Sequence, residues 1–134
     1  MSEGSVGVVR GHIEAYRRDD VAGALSFFDP HVVQDTTRVS GVDADVAHGY
    51  DEVVREVRRW MGTFEGYEFE VHTVTDLGAG TVLVVFAERG RGKGSGVPVE
   101  RIAAALYTVL DGKIVRITGY PTEQAALEAV GLAE

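Results

Sequence analysis

The chain has 134 residues, of which 45% are hydrophobic and 25% charged, and it contains no cysteine. That length suits one domain with one core, and the missing cysteine excludes disulfides, thiolate metal sites and cysteine nucleophiles. A formal net charge of -8 repels phosphate backbones and acidic membrane surfaces. No apolar run reaches the roughly 18 residues of a membrane span, so neither nucleic acid nor membrane is an expected partner.

In chain order, Val6, Val9, Ile13 and Tyr16 recur at helical spacing and predict a first helix ending near Arg17 and Arg18. Residues 1–5 precede this stripe and are expected to be flexible. Asp19 and Asp20 cap a predicted second helix with Val21, Leu25 and Phe28 as its buried stripe and Pro30 as its stop. Residues 32–37, VVQDTT, are β-prone and predict a first strand. The acidic segment 38–49, RVSGVDADVAHG, has neither period and reads as a loop. From Asp51 to Phe64 the residues Val53, Val54, Val57, Trp60, Met61 and Phe64 mark one face of a third helix.

After Gly66 the pattern alternates through YEFEVHTVT, TVLVVFAER, VPVERIAAALYTVL and KIVRITGY. The connections DLGAG, GRGKGSG and DG are short, which predicts antiparallel neighbours, and Asp111-Gly112 is the clearest tight turn. A last helix is expected to start at the cap Thr122, bury Ala126, Leu127 and Val130, and end at Gly131. Helices with an early strand, followed by a four-strand meander, define a single α+β domain over residues 1–134. The N-terminal MSEGSVGVVRGH has no basic region followed by an apolar run, so no targeting segment is read; the absence of cysteine makes a reducing cytoplasm the expected location.

Several residues invite chemistry. His31, His48 and His72 are scattered without metal-ligand spacing, so no metal site is expected. The glycine-rich RGRGKGSG matches neither phosphate-loop pattern and joins two strands, so it reads as a hairpin tip. No Ser-His-Asp arrangement is visible. His12 lies on or beside the apolar stripe of the first helix, either as a core histidine with one satisfied nitrogen or as a pocket acid/base. Trp60 is readable as core or as a ligand platform.

The order of elements, with the strings IEAYRRDDVAGALSFFDPHVV, GYDEVVREVRRW, RGRGKGSGVPVE and LDGKIVRITGYPTEQAALEAVGL, resembles the nuclear transport factor 2 superfamily and its SnoaL-like polyketide cyclase branch. The resemblance spans roughly Val6 to Leu132. It implies a cone-shaped, curved, mixed and mainly antiparallel sheet, with three N-terminal helices packed over a central pocket. It also implies a hydrophobic small-molecule partner, no cofactor, and a homodimer. Members range from ketosteroid isomerases, polyketide cyclases, dehydratases and epoxide hydrolases to binding proteins, so the fold alone does not choose among them.

Matched on Asp20 and Asp111-Gly112, the isomerase pattern places His12 at its tyrosine, Thr36 or Asp35 at its base, and Ala104 or Ala105 at its acid donor. Alanine donates no hydrogen bond, so that oxyanion site is incomplete. The cyclase and hydrolase patterns place Thr122 where a carboxylic acid is needed, and the hydrolase pattern matches Glu88 but sets Phe86 where it has arginine. The polar set expected to point inward is His12, Gln34, Thr36, Glu88, Arg101 and Tyr120, with Tyr16, Trp60 and Phe86 as pocket walls. Slipping the first strand by one residue exchanges Gln34 and Thr36 for Val33 and Asp35. Glu88 or Asp35 would be the base, His12 its partner, and Arg101 or Tyr120 the stabiliser of negative charge. Glu88 and Arg101 flank one hairpin and are expected to face each other. Apolar residues on both faces of TVLVVFA and RIAAALYTV predict a homodimer formed through the outer sheet face.

Overall fold

The structure is a computed structural model and describes residues 2–38 and 46–132. Helix α1 (Ser2–Arg17) and the short α2 (Val21–Leu25) precede strand β1 (Phe28–Asp35), strand β2 (Val46–His48) and helix α3 (Gly49–Met61). Strands β3 (Phe64–Gly78), β4 (Thr81–Gly92), β5 (Pro98–Leu110) and β6 (Lys113–Tyr120) then lead to helix α4 (Glu123–Ala129). All six strands form one sheet in the order β2-β1-β6-β5-β4-β3. Only β1 and β6 run parallel; every other pair is antiparallel, so the sheet is mixed and mainly antiparallel as expected. Three register shifts between β3 and β4 bend that edge of the sheet, because each extra residue in one strand increases local twist.

The helical stripe of α1 is buried as its spacing requires: Val9 and Ile13 pack with Val53 of α3 against Val82, Val84, Tyr107, Ile114 and Ile117 on the inner sheet face. Gly11 lets α1 approach closely, since a β-carbon there would lie 2.6 Å from the Phe27 ring. The β5–β6 hairpin closes at Asp111-Gly112, with φ of 51° and 77°, the positive pair that a two-residue primed turn needs.

Several expectations change, among them that Val130 is buried, since it is 39% exposed, and that the first helix starts at the Val6 stripe, since α1 begins at Ser2. Helix α2 ends at Leu25, and Phe28 and Pro30 belong to β1. The β1–β6 register shifts between Phe28 and Val33, and such an irregularity tolerates a residue without an N–H. The segment 38–49 is not all loop: Val46–His48 pairs with Val33–Asp35 as β2, while residues 39–45 lie outside the described residues. Helix α3 stops at Met61, and Phe64 opens β3. Finally, the outer sheet face is not bare. Thr122 caps α4 by accepting from the Ala125 N–H at 3.0 Å, as its sequence predicts, and the helix folds back onto β5 and β6, where Ala126 joins one buried cluster with Leu83, Val85, Ala104 and Leu106. The second apolar face of β4 and β5 is therefore largely buried within the chain itself. No helix among the described residues is long and apolar enough to cross a membrane.

Candidate functional site

Alternation along β4 sends Val84, Phe86 and Glu88 to the inner face, and β5 sets Arg101 directly opposite Glu88. The two charges meet as expected: Arg101 donates from Nε at 2.9 Å and Nη2 at 2.8 Å to Glu88 Oε1. The other carboxylate oxygen accepts from the Trp60 indole N–H at 2.9 Å and from the Tyr67 hydroxyl at 2.5 Å. Glu88 is only 7% exposed. Its carboxylate thus takes four donated hydrogen bonds from α3, β3 and β5, filling the acceptor capacity of a carboxylate.

The aromatic side chains around it form a continuous wall. Arg101 lies over the Trp60 ring at 4.8 Å, and Trp60 meets Phe64 edge-on at 5.0 Å. Phe64 lies 5.8 Å from Tyr67. Tyr16 contacts Phe69, which stacks on Phe86. The Tyr16 and Tyr67 hydroxyls are 3.5 Å apart; because Tyr67 donates its proton to Glu88, Tyr16 is the donor of that pair. Burial pushes the Tyr16 phenol up to about 12, with the Glu88 charge adding to it and the Tyr67 bond opposing it. Burial also raises the Tyr67 phenol, reinforced by the nearby Tyr16 and Glu88. Both remain neutral donors at physiological pH. The cavity bordering this wall encloses about 20 Å³, room for a single water and far below the several hundred Å³ of a ligand pocket.

The remaining predicted residues divide between the two faces. Gln34 pairs in register with Ala47 and Ile117 of the inner cluster, and its Oε1 is buried without a partner. Thr36 follows the end of β1, half-buried. The reading with Gln34 inward is therefore the correct register. Asp35 is not a pocket base: it aligns with Thr118, on the outer face. There Thr37 donates to it at 2.9 and 2.6 Å, and Arg38 and Arg116 each donate at 3.2 Å. The Thr37 hydroxyl bond above all holds its carboxyl below the usual range; burial opposes it, and the Thr37 N–H and the two arginines add to the lowering. Tyr120 also leaves the predicted set, because it belongs to the cluster beneath α4, with Arg38 over its ring at 5.7 Å. One residue of register decides the first case, and the return of α4 decides the second.

His12 takes its core reading. Its Nδ1–H donates to the Ala24 carbonyl at 3.0 Å, and its ring lies 4.5 Å from Phe28. The donors on Glu88 come from Trp60, Tyr67 and Arg101, not from His12. Burial holds the imidazole below its ordinary value of 6.5, opposed by the Ala24 bond. In the unfolded chain His12 takes up a proton near that ordinary value, while the folded chain resists until lower pH. The stabilisation from neutral His12 is thus complete above about pH 6.5 and declines as pH falls. Melting temperatures recorded from about pH 7.5 down to about pH 5 should fall less steeply in His12→Leu than in the wild type; parallel slopes would show that His12 does not contribute.

Tyr67 and Phe64 were absent from the predicted set. The signal for Tyr67 was present, since Tyr67, Phe69 and Val71 alternate on one face of YEFEV, but nothing local marks its hydroxyl as a partner of Glu88, 21 residues later. Among the described residues no group of three or more His, Asp or Glu side chains could hold a metal ion.

A curved mixed sheet with helices on its concave side, and a polar array set into that side, define a cone-shaped domain of the nuclear transport factor 2-like class. The chain belongs to the SnoaL-like family: a model described as SnoaL-like domain matches residues 9–117. Among solved structures, an NTF2-like protein from Burkholderia thailandensis is 27% identical with a TM-score of 0.78, the match covering 94% of this chain and 96% of that one. TerC, co-crystallised with polyporic acid, is 15% identical with a TM-score of 0.74, over 93% of this chain and 96% of that one. A Catenulispora acidiphila protein with a ketosteroid isomerase-like fold, in complex with trimethylamine, is 15% identical with a TM-score of 0.70, over 93% and 92%. Likeness at 15% identity shows the shared fold alone. No curated protein matches the chain in sequence.

Proposed function

We propose that this chain holds a hydrophobic small molecule against its inner sheet face, with the polar end of that molecule at Glu88. The observation that carries this reading is the buried Glu88 carboxylate, held by donors from three separate elements and bordered by aromatic rings. Burying an ion pair is a poor way to gain stability, and apolar side chains at 88 and 101 would suit the surrounding core equally well. Two proteins of this fold were solved with small molecules, polyporic acid and trimethylamine, which supports a small-molecule role.

Turnover, where it occurs, is cofactor-free acid/base chemistry with Glu88 as the proton acceptor and Tyr67 as the neighbouring donor. Glu88 in the resting chain has no free lone pair, so Arg101, whose side chain is 33% exposed, must swing aside before the carboxylate can take a proton. That requirement favours binding without turnover as the resting role. A homodimer remains part of the proposal, now resting on Ile102, which is exposed on the outer face of β5, and not on the part of that face that is buried with α4.

Three naphthyl probes differing only in their polar end, 2-naphthol, 2-naphthoic acid and 2-naphthylmethylamine, test the site by calorimetry. At least one should bind the wild type and bind Glu88→Gln about tenfold more weakly, as expected for losing a charge-assisted contact, while the melting temperature moves by only a few degrees. Equal affinity in the two proteins, or no binding by any probe, would contradict the proposal.

A further inference from the structure

The wall beside Glu88 has the composition of a cation receptor. Trp60, Phe64 and Tyr67 present three rings in series, at 5.0 and 5.8 Å, to a corner whose floor is the Glu88 carboxylate. Aromatic faces carry negative potential and attract cations, most strongly over tryptophan. A cation already sits there: the Arg101 guanidinium lies 4.8 Å from the Trp60 ring centroid and donates twice to Glu88. Arg101 reaches the corner from the solvent side and keeps a third of its side chain exposed, so it can withdraw without unfolding β5. Arg89 also borders the cavity, but its guanidinium is committed to Glu70 at 2.9 Å and Glu100 at 2.6 Å. The formal charge of -8 favours the approach of a cation over that of an anion.

We infer that the Trp60–Phe64–Tyr67–Glu88 corner is a site for a small organic cation, an alkylammonium group, whose place the Arg101 guanidinium occupies in the ligand-free chain. This rests on Glu88 being the polar anchor proposed above and names the charge class of the ligand's polar end. An ammonium entering the corner takes up the ring faces and the carboxylate together, and Arg101 moves into water, so no buried charge is left unpaired.

The probes are choline and its neutral carbon isostere 3,3-dimethyl-1-butanol, titrated calorimetrically against the wild type and Arg101→Ala. Trp60, the single tryptophan of the chain, gives a second readout in its fluorescence. Choline should bind the wild type about tenfold more tightly than the isostere, and Arg101→Ala should tighten choline by a further factor of about ten, because the internal competitor is gone. Choline should also raise the melting temperature of Arg101→Ala more than that of the wild type. Equal binding of choline and the isostere by the wild type would overturn the inference, even if Arg101→Ala fails to fold. So would a folded Arg101→Ala that binds choline no better than the wild type. If 2-naphthol or 2-naphthoic acid still responds to Glu88→Gln while choline shows no preference, the cation class falls and the Glu88 anchor stands. If neither probe set binds, both fall.

Discussion

Arg101→Met is expected to destabilise the chain by about 3 kcal/mol, because it strips both guanidinium bonds from Glu88 Oε1 and leaves a carboxylate that is 7% exposed facing a thioether. Removing one member of a buried pair typically costs 3–5 kcal/mol, since the surviving charge has lost its partner but not its burial. Two features place the effect at the lower end of that range. Trp60 and Tyr67 still donate to Oε2, and the partly exposed position of Arg101 lets water follow it in. Urea unfolding monitored by Trp60 fluorescence measures this directly. A loss under about 1 kcal/mol would mean that Glu88 is freely solvated and that the array is no more than a surface ion pair.

Leu83→Ala should cost about 2–5 kcal/mol, the range for truncating a fully enclosed leucine. Leu83 is 2% exposed, on the outer sheet face with Leu106, Ala126 and Leu127. It belongs to the face that the sequence suggested for dimer contact, so the variant separates two origins of its burial. If α4 of the same chain covers Leu83, the loss is the same at protein concentrations about tenfold apart. A loss that shrinks or grows with concentration would show that a second copy supplies the cover instead.

The parts of this account that could be read from sequence are those decided by local rules. Helical spacing identified Val9 and Ile13 as the buried stripe of α1, Asp111-Gly112 declared its own turn, and Thr122 its own cap. Period-two alternation, with a short hairpin between them, placed Glu88 and Arg101 on one face and across from each other. What escaped depends on information that no local window holds. The inward choice between Gln34 and Asp35 follows from the register of β1 on β6, a parallel neighbour about 80 residues away along the chain. Tyr120 looked inward by alternation from a counted anchor, yet the sheet is apolar on both faces, and only α4 folding back shows which cluster it joins. Strand β2 is three residues long, too short to show a period at all. His12 was legible as a residue but not as a role: the Ala24 carbonyl that satisfies its Nδ1 sits on a separate short helix. Tyr67 completes the Glu88 array through a contact between two strands, and its own strand pattern distinguishes it only as one inward aromatic among others.

The central claim is that Glu88 and Arg101 are retained for handling a ligand and not for holding the fold. The stability and ligand response of the double variant Glu88→Gln/Arg101→Met test it most directly. Glutamine keeps an acceptor for the Trp60 and Tyr67 donors while removing the charge, and methionine then has no buried carboxylate to abandon. Urea unfolding of the double variant should return to within about 1 kcal/mol of the wild type, recovering most of the loss seen in Arg101→Met alone, while the naphthyl probe that binds the wild type stays about tenfold weaker, as with Glu88→Gln alone. A double variant as unstable as Arg101→Met, or one that binds the probe as the wild type does, would contradict the claim.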